Sequence, residues 1–594
     1  MKKRLIYFNE FNLKMSGRAY LPLVSGSLVA YAMTDPVIRD AYEVAPFLFA
    51  REPLQTILAH YTREPDVAAF SVSLWNEQLS LAVARAIKTR WPRCLVVFGG
   101  CQIPFDAQSY LAQHSCVDVC ARGEGEQTFL EILRSHLSGL VVDVPGTTTR
   151  RGLAKDGTGP KELDVYPSPY LTGQFDALLE AHPEIEWQAI IETNRGCPFS
   201  CVFCWWANAL NQKYRLFSLE RCEANLRWCA DRHIRYIFNA DSNFGMLPRD
   251  REIVQALIHT KLETGYPEKF RTCWGKNSDE KIYTLAYQLH EAGLDKGLTL
   301  ARQSQDPETL KAIKRTNIRL SAYAGLQRRA NADGVPVYTE LILGLPGETE
   351  ESFKRGVEEC LSSGLTNQLF IYHAELLPST PMSEPAYREQ YGIQSARIPL
   401  RPIHTLAQEG LVEEYDEIVI GTAAMPPDAW RRLTVWSWVV QVCHGMKLLY
   451  FLMEYTHQVF GWPLTRWADE LMTWDGPVWA EQRAHLERQA EAMQRGEPKG
   501  QHLPAWGAVY WEEEEAVFLR LQDQREAWEV ELEALAVRVG GGAMREVAKY
   551  QASRIPCLSQ YDGDRERYAR EVILFGRKSG TNLVPDPTPG GSAP

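Results

Sequence analysis

The sequence predicts an α/β protein in three parts. These are a doubly wound parallel sheet over residues 1–150, a partial barrel of six strand–helix units over 187–400, and a mainly helical region over 401–575. Three observations carry the prediction. Strand-like and helix-like runs alternate in residues 1–150, with glycines closing the strands. The alternation resumes at 187 and continues to 380. From 400 onward the strand signals fade, and Trp, Glu, Gln, Ala and Leu dominate. Strand–helix alternation with glycine after the strands indicates parallel sheet, because a parallel pair needs a crossover helix.

In the first part, strands are expected at 4–8, 67–74, 94–98 and 117–120, with helices at 77–88 and 127–137. In doubly wound sheets ligands collect at the carboxyl ends of the strands. Glycines such as Gly99, Gly100 and Gly123 let a large ligand approach the backbone there. Residues 151–186 are rich in Gly, Pro and Asp and read as a linker. The barrel strands are expected at 188–193, 234–240, 269–274, 297–303, 336–343 and 368–375. Its helices are expected at 218–231, 250–264, 278–292, 307–316 and 350–363. Active sites of such barrels sit at the carboxyl ends of the strands. Trp430, Trp436, Trp438, Trp462, Trp467, Trp474 and Trp479 crowd the third part and are expected to form its core. His373 is expected to be a satisfied core histidine. Residues 576–594, rich in Gly, Pro and Ser, are expected to be disordered.

The chain has 594 residues, 45% hydrophobic and 23% charged, in the range of soluble globular chains. Its formal net charge of −11 gives no global electrostatic case for nucleic acid. The basic N-terminal run Met1–Arg4 precedes an apolar stretch too short for a signal peptide. The apolar stretch Leu433–Phe460 is broken by Gln441, His444, Lys447, Glu454 and His457, so no membrane span is expected. The 13 cysteines are odd in number and scattered, which suits a reducing cytoplasm.

Three of those cysteines carry chemistry. Cys197, Cys201 and Cys204 lie in the run Arg195-Gly196-Cys197-Pro198-Phe199-Ser200-Cys201-Val202-Phe203-Cys204, with C-x3-C-x2-C spacing, just after a strand-like run. Three thiolates this close can hold three corners of a [4Fe-4S] cluster and leave one iron open for a small molecule. The alternatives are a zinc knot or unrelated core thiols. Structural zinc takes four protein ligands, and no fourth lies nearby in the sequence. Cys116 and Cys120 repeat the C-x3-C spacing without a third cysteine, and are expected to be buried thiols.

The cysteine loop resembles the signature of the radical S-adenosylmethionine (SAM) superfamily, over about residues 187–380. The resemblance implies that the open iron chelates the amino and carboxyl groups of SAM, and that Phe203 lies near the adenine. Arg302-Gln303-Ser304-Gln305-Asp306 resembles a Q-S-x-D run of that superfamily. Gln303 would then meet the ribose hydroxyls, with Ser304 beside it. Arg315 resembles an arginine that pairs with the SAM carboxylate, and a guanidinium fork suits a carboxylate; its plain alternative is a solvated helix arginine. Glu340 opens the run Glu340–Thr349, which resembles a late-strand G-L-P-G-E-T motif that shapes the turn against SAM. Where the superfamily carries G-G-E, contacting the SAM amino group, this chain has Asn239-Ala240-Asp241-Ser242-Asn243-Phe244-Gly245. Asp241 or Asn239 is expected to replace that contact. Lys276 and Asn277 could face the same cavity.

Residues 1–150 resemble the Rossmann-like cobalamin-binding domain of class B radical SAM enzymes. The matching elements are Tyr20–Gly26, Ser71-Val72-Ser73-Leu74-Trp75-Asn76, Gly99-Gly100 and Arg122-Gly123-Glu124-Gly125-Glu126. Ser71, Ser73, Asn76, Gly99, Gly100, Gly123 and Glu124 would contact the cofactor. The D-x-H-x-x-G run that supplies a cobalt-ligating histidine in the mutases is absent from residues 1–150. Trp75 would instead cover the lower cobalt face, unless it is a core aromatic.

Together these parts resemble cobalamin-dependent radical SAM methyltransferases of natural-product biosynthesis. The resemblance implies methylation of an unactivated sp3 carbon, in a ribosomal peptide or a β-lactam-type small molecule. Methylcobalamin would supply the methyl, and a 5′-deoxyadenosyl radical would remove the hydrogen. A flavodoxin- or ferredoxin-type donor would supply the electron. Polar methylation of an aromatic sp2 carbon and a radical rearrangement without methyl transfer are the alternatives.

Overall fold

Strand β1 (Arg4–Asn12) is buried from Leu5 to Phe11 without alternation. Burial on both faces marks the centre of a parallel sheet covered by helices on two sides. The computed structural model describes residues 2–575 apart from 16, 140–143, 156, 158, 207–212, 277–279 and 296. The expected disordered tail, 576–594, and Asn277 lie outside the described residues. After β1 come β2 (Arg18–Tyr20), β3 (Tyr42–Val44), β4 (Leu48–Ala50), β5 (Val67–Ser71), β6 (Leu95–Gly99), β7 (Val119–Ala121), β8 (Thr147–Thr149) and β9 (Gly152–Leu153).

The N-terminal sheet runs β3-β1-β5-β6-β7-β8-β9, with β4 also on β1. It is parallel as far as β7, and β8 and β9 continue it antiparallel. All four expected strands are present. The fourth begins at Val119, two residues late, because the Asp118 carboxylate accepts the Val96 N–H at 2.8 Å. Cys116 and Cys120 are buried, as expected. The sheet crosses residue 150. Residues 151–186 also hold more structure than a linker: Leu163, Tyr166, Tyr170, Phe175 and Leu178 are buried around a helix at Asp176–Ala181.

The second sheet contains β10 (Glu186–Ile191), and the ribbon β11 (Asn194–Arg195) with β12 (Arg215–Leu216) follows it. Then come β13 (Tyr236–Phe244), β14 (Lys269–Trp274), β15 (Leu298–Thr299), β16 (Val337–Leu343) and β17 (Leu369–His373). Two parallel sheets, β2-β10-β13-β14 and β15-β16-β17, make the partial barrel. The segment Arg18–Tyr20 leaves the N-terminal region to pair with β10, Tyr20 opposite Gln188. The fourth barrel strand is shorter than expected. It is regular only to Thr299, but the N–H groups of Leu300, Arg302 and Gln303 still donate to the Tyr338 and Glu340 carbonyls of β16, up to a bridge from Gln303 to Leu341.

The barrel helices follow local signals. Ser218 caps Leu219–Asp231 by accepting the Arg221 N–H, and Asp306 caps Pro307–Ala312 by accepting the Thr309 N–H. Thr349 and Ser352 form a reciprocal cap on Glu350–Ser362.

The C-terminal region opens with an unexpected antiparallel pair, β18 (Gln394–Pro399) and β19 (Tyr415–Gly421). Beyond it the region is helical. Trp430, Trp436, Trp438, Trp467 and Trp479 are buried in one core. Leu433–Phe460 falls into helices Pro427–Val440 and Tyr450–Phe460, joined by a π-turn at Gln441–Gly445. Among the described residues, no helix is long and apolar enough to cross a membrane. His373 meets Trp430 with ring centroids 5.3 Å apart, and burial lowers its pKa to about 3, so it stays neutral.

Candidate functional site

The barrel strands alternate. On β14, Phe270, Thr272 and Trp274 are buried, while Arg271 and Cys273 are not. The buried set packs under the outer helices, so the other set lines the interior. Glu340 of β16 belongs to that interior set. Burial raises its pKa, and Arg271 and Arg315 oppose the rise.

The cysteine loop leaves β11 at Gly196, whose φ of 115° is a conformation glycine adopts without steric cost. Cys197 and Cys201 are buried and Cys204 is half-buried. Val202 anchors the loop in an apolar cluster with Ile313 and Leu345, against which Phe203 packs. Polar hydrogens are aimed at the sulfurs. Asn243 Nδ2 donates to Cys197 Sγ at 3.4 Å. Lys276 Nζ donates to Cys201 Sγ at 3.5 Å.

Among the described residues no three His, Cys, Asp or Glu side chains converge on one metal ion. A four-iron cube needs sulfurs spread around its corners rather than gathered at a point. Three thiols on one loop, two of them with N–H donors, fit such a cluster.

Asp241 is held by groups of the protein itself. Its side chain accepts from Thr193 N at 2.8 Å, from Asn194 N at 3.2 Å, from the Thr193 hydroxyl and from Asn239 Nδ2. Burial still pushes its pKa up to about 7. Asn239 is spent on the same bracket, accepting the Asp241 N–H at 2.7 Å. Two positions on, Asn243 differs: its Oδ1 is buried without a partner. Sequence reasoning named the right run and missed this residue. No local pattern marked it: the register of β13 against β14 slips between Asn239 and Phe244, and that irregularity brings Asn243 to the loop.

Gln303 stands at the carboxyl end of the fourth strand with φ of 64°. A non-glycine residue seldom adopts this conformation, and such residues gather at functional sites. Asn317 holds the turn by donating to the carbonyls of Arg302 and Ser304, at 3.0 and 2.8 Å. Ser304 is a correction: its hydroxyl donates to Glu348 Oε1 at 2.8 Å and accepts the Asp306 N–H at 3.0 Å, so it braces the turn from behind. Arg315 is buried, not solvated. Its Nε donates to Asn317 Oδ1 at 3.0 Å and its Nη2 to the Ala301 carbonyl, while Nη1 has no partner. Cys201 is close enough to bear on its charge. An unpaired N–H of a buried guanidinium suits an incoming carboxylate.

The N-terminal sheet presents its strand ends in loops 71–76, 99–102 and 122–126. Asn76 is a second correction. Its Oδ1 accepts Ser73 N–H at 2.8 Å, and its Nδ2 donates to the carbonyls of Ser71 and Phe11 at 3.0 and 3.2 Å. It therefore shapes the loop. Ser73 Oγ takes the Cys101 thiol at 3.7 Å. Trp75 is half-buried, and its indole N–H is buried without a partner.

Gly100 closes a tight turn, since a Cβ there would lie 2.3 Å from the Val72 carbonyl oxygen. A Cβ at Gly99 would meet only Ala121, at 3.7 Å, and one at Gly123 would meet nothing within 4 Å. Gly99 and Gly123 thus leave open backbone at the strand ends, and the Trp75 indole N–H is free; both fit a large flat ligand. Glu124 pairs with Arg215 and lies 3.7 Å from Arg195. It joins the sheet to the cysteine loop.

Comparisons with known proteins agree with this geometry. The Radical SAM superfamily profile matches residues 191–360, and the B12 binding domain profile matches 36–133. The chain is 37% identical over 480 residues to the cobalamin-dependent radical SAM methyltransferase TokK of Streptomyces tokunonensis, covering 79% of this chain and 69% of that one. It is 35% identical over 464 residues to the 2-(S-pantetheinyl)-carbapenam-3-carboxylate methyltransferase of Streptantibioticus cattleyicolor, covering 77% and 67%. The fold matches that of OxsB, a cobalamin-dependent SAM radical enzyme solved with aqua-cobalamin and SAM, at a TM-score of 0.55 and 14% identity. That match covers 98% of this chain and 83% of OxsB. A [4Fe-4S] cluster and SAM come with the first domain and cobalamin with the second. The chain belongs to the cobalamin-dependent radical SAM methyltransferases.

Proposed function

We propose that this enzyme methylates an unactivated sp3 carbon of a β-lactam-type natural-product precursor. The observation that carries the proposal is the likeness over most of the chain to a relative named for a carbapenam carboxylate. The peptide alternative has no such support. Trp75 favours the radical route over polar methylation. It would place no cation beneath the cobalt, and a neutral cover would ease homolytic loss of a methyl.

The cofactors supply the methyl group and the hydrogen-abstracting radical. The chain supplies position. Cys197, Cys201 and Cys204 hold the cluster. The free Nη1 of Arg315 takes the SAM carboxylate, and the free Oδ1 of Asn243 takes its amino group. Gln303 and Phe203 take the ribose and the adenine. Trp75 would cover the lower cobalt face, and Gly99 and Gly123 would admit the corrin and its tail, with Gly100 holding the turn against Val72 beside them. Electrons come from an external flavodoxin- or ferredoxin-type donor. Holding the reacting atoms close and aligned is the main contribution of the protein.

The test is anaerobic incubation of the reconstituted enzyme with SAM, a low-potential reductant and a carbapenam carboxylate thioether. A product heavier by one methylene supports the proposal. An unmodified carbapenam beside a methylated aromatic substrate would refute it.

A further inference from the structure

Arg195 and Arg215 face each other in register across the ribbon that leads into the cysteine loop. Like charges directly opposite on a ribbon repel. Carboxylates from a distant part of the fold lie against them. Glu124 and Glu126 belong to the loop and first turn that follow β7 of the N-terminal sheet. Arg195 Nη2 meets Glu126 Oε1 at 2.7 Å and Glu192 Oε2 at 2.9 Å, and its Nη1 lies 3.7 Å from Glu124 Oε2. Arg215 pairs with Glu124 and donates a further N–H to the Pro160 carbonyl at 2.9 Å. The side chains of Arg195, Arg215, Glu124 and Glu126 are only 11%, 10%, 10% and 5% exposed. Tyr166 and Phe217 flank the Arg195 guanidinium at 5.5 and 5.8 Å.

Desolvating this many charges offsets most of what their attraction supplies, so such a network is weak evidence for stability. What it does fix is geometry, because a planar guanidinium accepts its partners in few orientations. Its two ends are informative. Arg195 is two residues before Cys197. Glu124 directly follows Gly123, whose surroundings are open at the strand ends of the other sheet.

We infer that the Arg195–Glu126–Glu124–Arg215 network is a positioning device. It locks the cluster loop to the cobalamin-binding sheet and so sets the distance and direction between cobalt and cluster. The inference rests on the proposed function only in that both cofactors must reach one carbon. Methyl transfer within one cavity requires this, since a small misplacement of reacting groups costs rate steeply.

The test needs no substrate. The full-length holoenzyme is prepared with cob(II)alamin and the reduced cluster, both paramagnetic, and pulsed dipolar EPR reads the distance distribution between them. The wild type should give one narrow distribution. Glu126→Gln and Arg195→Met should broaden it at least twofold while the EPR spectrum of each centre stays unchanged. Arg195→Lys, which keeps the charge and loses the fork, should fall between. Arg235→Met, which removes an exposed pair with Glu268 on the barrel, should leave the width as in the wild type.

Unchanged widths in Glu126→Gln and Arg195→Met, with both cofactors bound, would overturn the inference. So would equal broadening in Arg235→Met. Loss of the cluster or cobalamin from Glu126→Gln would also overturn it, by reducing the network to a folding role. Failure of the wild type to methylate a carbapenam would leave this result untouched and would count only against the proposed substrate.

Discussion

Asn243 directs one amide hydrogen at the Cys197 sulfur, 3.4 Å away, and keeps its carbonyl oxygen buried with no partner. The amide therefore has one end on a proposed cluster ligand and the other free to accept an N–H. A hydrogen bond to a ligand sulfur stabilises the reduced, more negative cluster. Replacing Asn243 with Leu should leave cluster binding intact, since the three thiols remain. It should lower the reduction potential. About 1 kcal/mol of lost bonding corresponds to about 40 mV for a one-electron couple. SAM affinity should fall as well. An EPR-monitored redox titration checks the first effect, and equilibrium binding of SAM to the oxidised cluster checks the second.

Replacing Cys197, Cys201 and Cys204 together with Ala should abolish the visible charge-transfer absorption and all SAM cleavage. Replacing Cys116 and Cys120 should change neither, because both lie in the core of the other sheet, among Val96, Phe98 and Val117. Iron analysis after anaerobic reconstitution separates the two sets. About four irons retained in the triple variant would remove the cluster from this loop.

The cob(II)alamin form should show no nitrogen superhyperfine splitting in its EPR spectrum. The only histidines in residues 1–150 are His60, His114 and His136. His136 packs beneath the sheet against Tyr42, with its Nδ1 2.8 Å from the Tyr42 hydroxyl. A clear three-line nitrogen pattern would assign the lower face to another residue and release Trp75 from it.

Glu348 makes stability depend on pH. Burial pushes its carboxyl from 4.5 up to about 8, despite the hydrogen bond from Ser304. Between those values the native state holds a proton that the unfolded state has released. Stability therefore falls as pH rises through that window, by at most about 1.4 kcal/mol per pH unit. Glu348→Gln keeps the shape and removes the titration. The difference in urea midpoint between wild type and variant should change steadily between about pH 5 and pH 7.5 in favour of the variant at the higher pH. A constant difference would mean that Glu348 is ionised in the native state.

The sequence made some of this legible and hid the rest for physical reasons. The cysteine loop was readable because its chemistry lies within eight consecutive residues. The barrel strands were readable because alternation repeats along β13, β14 and β16. Asp241 and Asn243 could not be told apart, since the register of β13 slips between Asn239 and Phe244 and only the loop packed there decides which one meets a sulfur. The bonds of Ser304 and Glu124 were hidden for a different reason. Their partners, Glu348 and Arg215, are 44 and 91 residues away, and no local pattern announces them. Strands β18 and β19 straddle the boundary placed at residue 400, and they form by pairing with each other and with Glu375. Arg18–Tyr20 is three residues long and becomes a strand only because β10 offers it an edge.

The central claim is radical methylation of an unactivated carbon. Its most direct test uses a carbapenam carboxylate deuterated at the carbon to be methylated. Methylated product, S-adenosylhomocysteine and 5′-deoxyadenosine are counted in the same anaerobic reaction. The account predicts the two SAM-derived products in roughly equal amounts per methyl added, with the deuterium recovered in 5′-deoxyadenosine. Substrate-dependent methylation that yields S-adenosylhomocysteine and no 5′-deoxyadenosine would contradict it.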